Sequence, residues 1–496
     1  MKTRASVSLA FLAAVAVTFS ASCAVKIPEA YEPSSFYKAA VEKDAGGPVS
    51  VEAVPAPWVD ELRQARAEWE KAVSEPSAIS VFHQTPPRLL KALSPAFSDG
   101  SLAQKALSGE FSLETLETLA LGRNPAVRAA DSSLAASLNA YGQLSELMDQ
   151  LSQYSVFARD LGAGMAAGFP YPEVVALQGQ MAGREAAEAF FEREMARRTA
   201  LTTARRLYWE IWYNQGALRI ADETLRLVSG LPDTLARRYE TGEADLKDVT
   251  EALVQKQKIE EERLTLKREG EALRASLAAL LELPSGAVLG HPGKSGPSSA
   301  FPRPESLILL ALSRRQEIKK LEAAVARAEL SILMMEAESG FGRPFNLSLP
   351  SKRISRQGEE AAMNGATGSV APRLSGPTYA YLLETRARLL ALKADLASAI
   401  AETPALVRDA WTRADKAKRE AALYSERVET LARLNFSSAL KDYETGGLNL
   451  SDLTEIALAR LEAGTAALSA RRDLGLALAE LYEAVGTDEF PASKPR

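Results

Sequence analysis

The strongest constraint on this chain is a phrase that it writes twice. Y-E-T-G-E-A-D-L-K-D-V-T-E-A runs from Tyr239 to Ala252, and Y-E-T-G-G-L-N-L-S-D-L-T-E-I from Tyr443 to Ile456. A second matching pair lies upstream of each phrase. It is F-S-L-E-T-L-E-T-L-A-L-G-R-N-P-A-V-R-A-A, from Phe111 to Ala130, and S-L-I-L-L-A-L-S-R-R-Q-E-I-K-K-L-E-A-A, from Ser306 to Ala324. Ala120 and Leu121 fall on Ala311 and Leu312, and Val127 falls on Ile318. The unit is far longer than a solenoid repeat, so it duplicates a whole architectural half. The second copy is the longer between its landmarks. The excess is expected in the Gly-, Ser- and Pro-rich stretch from Ser339 to Pro377.

Each half is expected to be a long helical hairpin. Helix formers dominate after residue 110, as in long-helix proteins. In the first half one helix is expected from about Arg184 to Asn214. It continues past Gly216 and the Gly230-Leu231-Pro232 interruption to Tyr239. A second runs from about Ala244 to Leu283, where Pro284 stops it. In the second half one helix is expected from about Tyr379 to Tyr443, with Pro404 as a kink, and another from about Leu450 to Val485. A helix of about 60 residues is about 90 Å long and needs lateral partners. Leu246, Val249 and Leu253, and Leu273, Leu277 and Leu280, supply an apolar seam at helical spacing. The repeated phrase then becomes the hairpin tip. Gly242 and Gly446 suit a left-handed C-cap, Asp245 and Asn449 an N-cap, and Ser112 the N-cap of the helix after Phe111. Turn geometry accounts for the glycine and the capping residue. It does not account for the shared Tyr, Asp, Thr and Glu, which points to function at the tips.

The N-terminus carries a targeting pattern. Lys2 and Arg4 precede an apolar run from Ala5 to Phe19, followed by S-A-S-C. That is a secretory signal, too short to favour a spanning helix. Cys23 is the only cysteine, so no intramolecular disulfide can form. Small residues ending at a cysteine resemble a bacterial lipoprotein box, with Ser20 where that box usually has Leu. Lipidation of Cys23 and ordinary cleavage near residue 22 are the two readings. Ala24, rather than Asp, follows Cys23, which by analogy with such lipoproteins favours the outer membrane. Residues 23–110 are expected to be a lipid-anchored arm and linker, with a short amphipathic helix from Trp58 to Val73 and linker again to about Ser108. The halves are placed at 111–285 and 303–487, joined by a linker at 286–302 and followed by a tail at 488–496. No later apolar run reaches the length of a membrane helix, so any crossing would have to use strands.

Catalytic and cofactor signatures are not found. His83 and His291 have no ligand partner at helical spacing, so no metal site is expected. Gly293-Lys294-Ser295 lacks the phosphate loop's first glycine, since Val288 stands there. No G-x-S-x-G appears. The mixed, mildly acidic charge, formally −5, gives no electrostatic case for nucleic acid. No enzyme activity and no cofactor are expected.

The whole pattern resembles the TolC-like outer membrane efflux protein family over about residues 111–487. The marks are A-L-G-R-N-P-A-V, F-P-Y-P-E-V-V-A-L-Q-G-Q, R-R-L-Y-W-E-I-W, both Y-E-T-G tips, L-L-E-L-P, R-R-Q-E-I and the closing L-A-E-L-Y-E-A-V-G. The resemblance implies a mainly α fold of antiparallel coiled-coil hairpins in a two-fold repeat. It also implies a few strands that join a trimeric outer membrane β-barrel, here near 152–172 and 341–376. It implies a homotrimeric duct across the periplasm that docks a periplasmic adaptor and an inner membrane pump, with outer membrane lipid around it. Tyr239, Gly242, Tyr443 and Gly446 become adaptor-docking tips. Asp248, Glu251, Asp452 and Glu455 become a periplasmic gate. The family's basic lock residue two places after the tip Gly is replaced by Ala244 and Leu448. The alternative is a lipid-anchored coiled-coil scaffold or adaptor without a pore.

Overall fold

The computed structural model describes residues 81–140, 172–284, 286–340 and 377–490, apart from 243, 244, 294, 295, 297–300, 446 and 449. Cys23, the 58–73 helix and Gly446 therefore lie outside the described residues. So do the expected barrel strands, except for Pro172, which opens a helix. The first half begins with α1 (Pro87–Ser98) and α2 (Gly100–Leu107), then β1 (Glu110–Phe111), α3 (Leu113–Arg123) and α4 (125–140). The long elements follow: α5 (Pro172–Val228), α6 (Leu231–Glu240) and α7 (Leu246–Leu280). After β2 (His291–Pro292), the second half repeats the plan with α8 (Pro304–Arg314), α9 (Gln316–Gly340) and α10 (Pro377–Ala422). A π-helical stretch (Leu423–Val428) joins α10 to α11 (Glu429–Glu444), and α12 (Leu450–Val485) closes the chain.

Three expectations are corrected. The region before Ser108 is helical from Pro87 onward, not linker. Asp99 ends α1 and caps α2, accepting from Ser101 N at 2.8 Å. Ala96, Ala103 and Leu107 bury their side chains with Phe111, Leu116 and Leu119 in one core. Burial of that kind holds helices whose local sequence is unremarkable. The 286–302 linker, secondly, is pinned to the first half. β2 pairs parallel with β1, and Gly290 N donates to Leu107 O at 2.7 Å. Thirdly, the single helix expected from Tyr379 to Tyr443 is interrupted by the π-helical stretch at Leu423–Val428, while its α-helical run includes Pro404. Proline removes one i→i−4 bond. The carbonyl left without that donor belongs to Ile400, which lies on an exposed face of the helix.

The break between α3 and α4 at Asn124 corresponds to the break between α8 and α9 at Arg315, as the duplication requires. Both breaks clasp the far end of their own half. Arg123 donates to the carbonyls of Leu281 at 2.8 Å and Glu282 at 3.0 Å, and also to Ala96 and Phe97. Asn124 donates to Leu280 O at 3.2 Å while its Oδ1 caps α4 through Ala126 N and Val127 N. In the second half Arg315 reaches Ala484 O at 3.4 Å and Gln316 reaches Gly486 O at 2.7 Å. These carbonyls end α7 and α12, where a helix leaves acceptors with no N–H of its own to fill them.

The long helices form one layer in the order α7, α5, α12, then α10 with α11. Its central pair, α5 and α12, is antiparallel and packs through glycines. A Cβ at Gly475 would sit 2.5 Å from the Trp209 ring, and one at Gly216 would sit 2.6 Å from Leu468. Each helix thus sends one bulky side chain into a glycine gap on the other, a heptad apart. This knob-and-hole register fixes how the two hairpins lie together.

Candidate docking and gating site at the hairpin tips

The first tip turns at the glycine that the repeat marks. After α6, Gly242 adopts φ +78°, and its N–H donates to Tyr239 O at 3.1 Å. A Cβ there would meet nothing within 4 Å, so glycine is required by conformation and not by space. Asp245 stands just before α7, and its carbonyl accepts from Val249 N. At the second tip Thr445 caps α11, and Gly447 N donates to Asp442 O at 2.8 Å. That is the long bond of a Schellman turn. Tyr239 is 48% and Tyr443 40% exposed. Each presents an aromatic face and a hydroxyl at the end of a hairpin.

Two of the four expected gate carboxylates are brought together. Glu251 and Glu455 are equivalent in the duplication, and both line one groove of about 490 Å³ between α6, α7 and α12. Arg238 on α6 shares it, with Leu231, Leu235 and Leu458 as apolar wall. Glu251 also pairs with Lys247 at 3.6 Å, one helical turn back, both side chains well exposed. Such a pair contributes little. Asp452 is exposed in the first turn of α12, where a carboxylate also suits the helix dipole. Asp248 lies on α7, but its side chain is outside the described residues. The groove continues along the helices into a second of about 600 Å³, sharing Gln255, Leu458 and Glu462.

Sequence reasoning did not single out Arg238, because no partner lies near it in the chain. It also missed the ionic cluster beside the C-terminal end of α12. Arg205 on α5 donates to Glu117 and to Asp488, each at 2.5 Å, and His83 meets Asp488 at 2.6 Å. Burial alone would push Asp488 up, but the His83 hydrogen bond and charge, with the Arg205 guanidinium, hold it below the usual carboxylate range. Arg198 pairs with Glu317 nearby. Burial likewise opposes ionisation there, and the Arg198 bonds and charge, with Arg315, outweigh it and lower Glu317 to about 2. Among the described residues no group of three or more His, Cys, Asp or Glu could hold a metal ion. No described helix is long and apolar enough to cross a membrane.

No family model matches the sequence, and no curated protein matches it. Solved structures do match in fold. The outer membrane protein VceC from Vibrio cholerae is 14% identical, with a TM-score of 0.55 over 76% of this chain and 96% of that one. The MtrE outer membrane channel of Neisseria gonorrhoeae is 16% identical, with a TM-score of 0.53 over 76% and 89%. The CmeC outer membrane channel of Campylobacter jejuni is 10% identical, with a TM-score of 0.54 over 77% and 87%. At these identities the likeness is one of fold. The chain therefore has the fold of the outer membrane channels that these structures represent.

Proposed function

We propose that this chain is the outer membrane channel component of a tripartite efflux or export system. It would form a homotrimeric, periplasm-spanning duct, docking a periplasmic adaptor and an inner membrane pump that supplies the energy. The observation that carries this reading is the two-hairpin layer, whose fold matches solved channels along about three quarters of the chain. The layer's two edges support self-assembly. On α7, Leu246, Leu253, Val254 and Leu264 are exposed, and on α10 and α11 so are Leu390, Ile400, Leu431 and Leu434. Two different apolar faces on opposite edges suit a heterologous contact that closes into a ring.

The gate is assigned to Asp248, Glu251, Asp452 and Glu455, and adaptor docking to Tyr239, Gly242, Tyr443 and Gly446. Three copies of these carboxylates about one axis would attract cations. In planar bilayers the purified protein is expected to show discrete, cation-selective conductance. The quadruple variant Asp248→Asn, Glu251→Gln, Asp452→Asn, Glu455→Gln should lose most of that selectivity and its block by multivalent cations. Conductance with unchanged selectivity removes the gate assignment alone. An absence of conductance, with no hollow trimer in particle images, leaves the lipid-anchored scaffold.

Two further outcomes are expected. Mass spectrometry of the mature N-terminus should find Cys23 acylated, holding the chain to the outer membrane; a free Cys23 thiol would remove the anchor. Photo-crosslinkers at Tyr239 and Tyr443 should capture a periplasmic protein in cells. Gly242→Val forces a β-branched residue toward left-handed backbone at a cost of about 1–2 kcal/mol, and Gly446→Val is the matching change in the second copy of the phrase. Capture should fall by about tenfold, the equivalent of about 1.4 kcal/mol, with the trimer intact. Undiminished capture would place docking elsewhere.

A further inference from the structure

Away from the tips, partway along α5, a cavity of about 590 Å³ opens between the 81–85 segment, α1, α3, α4 and α5. Its volume is typical of small-ligand clefts. Leu90, Phe97, Leu121 and Phe190 give it apolar walls. Gly122 permits one of them, since a Cβ there would lie 2.2 Å from the Phe97 ring. His83, Arg193, Arg197, Glu194 and Asp131 supply its charged lining.

The charges in this lining are unevenly paired. Arg193 is held by Asp131 at 2.5 Å, and His83 by Asp488 at 2.6 Å. Glu194 is fully buried and already accepts from Phe82 N at 3.2 Å and Arg193 Nη1 at 3.3 Å. Arg197 is left with that same carboxylate at 3.7 Å, beyond hydrogen-bond reach. Its Nε is buried with no hydrogen-bond partner among the described residues. Its side chain is only 18% exposed, and burial pulls its pKa down against the opposing pull of Glu194. A guanidinium shut in with a shared acceptor is costly. The exposed part of the Arg197 side chain lines the cavity, where a ligand oxyanion can pair with its remaining N–H groups.

We propose that this cavity binds a small organic anion with an apolar body, its oxyanion on Arg197 and its carbon skeleton against Phe97, Leu90 and Leu121. The recognised class is a carboxylate attached to an aryl or alkyl chain. The 81–85 segment forms one wall, so the ligand also ties that segment to the helices. This site is distinct from the tips, and its test is independent of channel function.

The test is isothermal titration of the full chain, in a non-ionic detergent, with 4-phenylbutyrate and with uncharged 4-phenylbutan-1-ol. The carboxylate should bind saturably at one site per chain, about tenfold or more tighter than the alcohol. Arg197→Gln should weaken the carboxylate by a similar factor and leave the alcohol unchanged. If that variant fails to fold, Leu90→Asp replaces it. Leu90 is 46% exposed, and a carboxylate at the cavity wall should abolish binding by repulsion. Equal binding of acid and alcohol, insensitivity to either variant, or no saturable binding overturns the proposal.

Discussion

Gly486→Ala is expected to destabilise the protein by about 3 kcal/mol, combining a left-handed backbone penalty of about 1–2 with an overpacking term of about 1–3. Gly486 adopts φ +81°, and a Cβ there would lie 2.9 Å from the Arg315 Cα. That contact is with backbone, which cannot swing aside as a side-chain tip could. The duplication supplies an internal control. Glu282 is the matching residue of the first half and also has positive φ, at 50°. It ends α7 in a full Schellman motif, with Leu283 N on Ala278 O at 2.8 Å and Glu282 N on Ala279 O at 3.2 Å. Here the side chain points to an exposed partner, Arg128, with both groups about half exposed. Glu282→Gly relieves about 1 kcal/mol of backbone strain. It forfeits a surface ion pair worth about 0–1 kcal/mol and adds a similar unfolded-state entropy cost. The net change should lie within about 1 kcal/mol of zero. Denaturant unfolding followed by circular dichroism would compare the two. Equal losses at both positions would refute the account, as would a tolerated Gly486→Ala.

What was legible in the sequence is what local chemistry decides. Ser112 caps α3 as expected, Gly242 turns left-handed, and α12 runs over the expected Leu450–Val485. Each depends on residues within a turn or two of one another. The duplication added a longer-range inference, since matching landmarks imply matching breaks, and Asn124 and Arg315 bear this out. The features that escaped depend on distant partners. The helices before Ser108 are held by Arg123 and the first-half core. Their own sequence, with Pro86, Pro87, Pro95 and Gly100, resembles a linker. The π-helical stretch at Leu423–Val428 has no proline to announce it, while Pro404 sits where its missing bond is tolerated. At the tips, duplication made Glu251 and Glu455 equivalent. That they face one groove with Arg238 follows from how α6, α7 and α12 come together. A residue's own neighbours in sequence carry no trace of that packing.

Arg205→Met is expected to cost about 3–5 kcal/mol, because removing one partner of a buried ionic cluster strands the others. Arg205 and Glu117 are 7% and 6% exposed, and Asp488 is 11% exposed. The guanidinium also lies over the rings of Tyr482 at 5.1 Å and Phe82 at 5.7 Å. One cation thus joins α3, α5, the C-terminal segment and the segment ahead of α1 at Phe82, whose carbonyl accepts from Asp488 N. If charge stranding is the cause, neutralising the acids should recover stability. Arg205→Met with Glu117→Gln and Asp488→Asn should regain more than half of the loss, although each acid substitution alone destabilises. The pH response gives a second check. Asp488 is held below its ordinary 3.8 in the folded state. Its contribution is therefore complete above the unfolded value and is lost as pH falls from there through the lowered folded value. In Arg205→Met the folded value rises toward the unfolded one, so the acid-dependent loss attributable to Asp488 still starts at the unfolded value but is smaller than in the parent. Melting temperatures followed from neutral pH to about pH 2 would show the reduced loss. A loss below about 1 kcal/mol in the single variant, within the range of an exposed pair, would mean that the cluster is wetter than its burial implies. A triple variant no more stable than the single one would assign the loss to packing against Phe82 and Tyr482 instead of to charge.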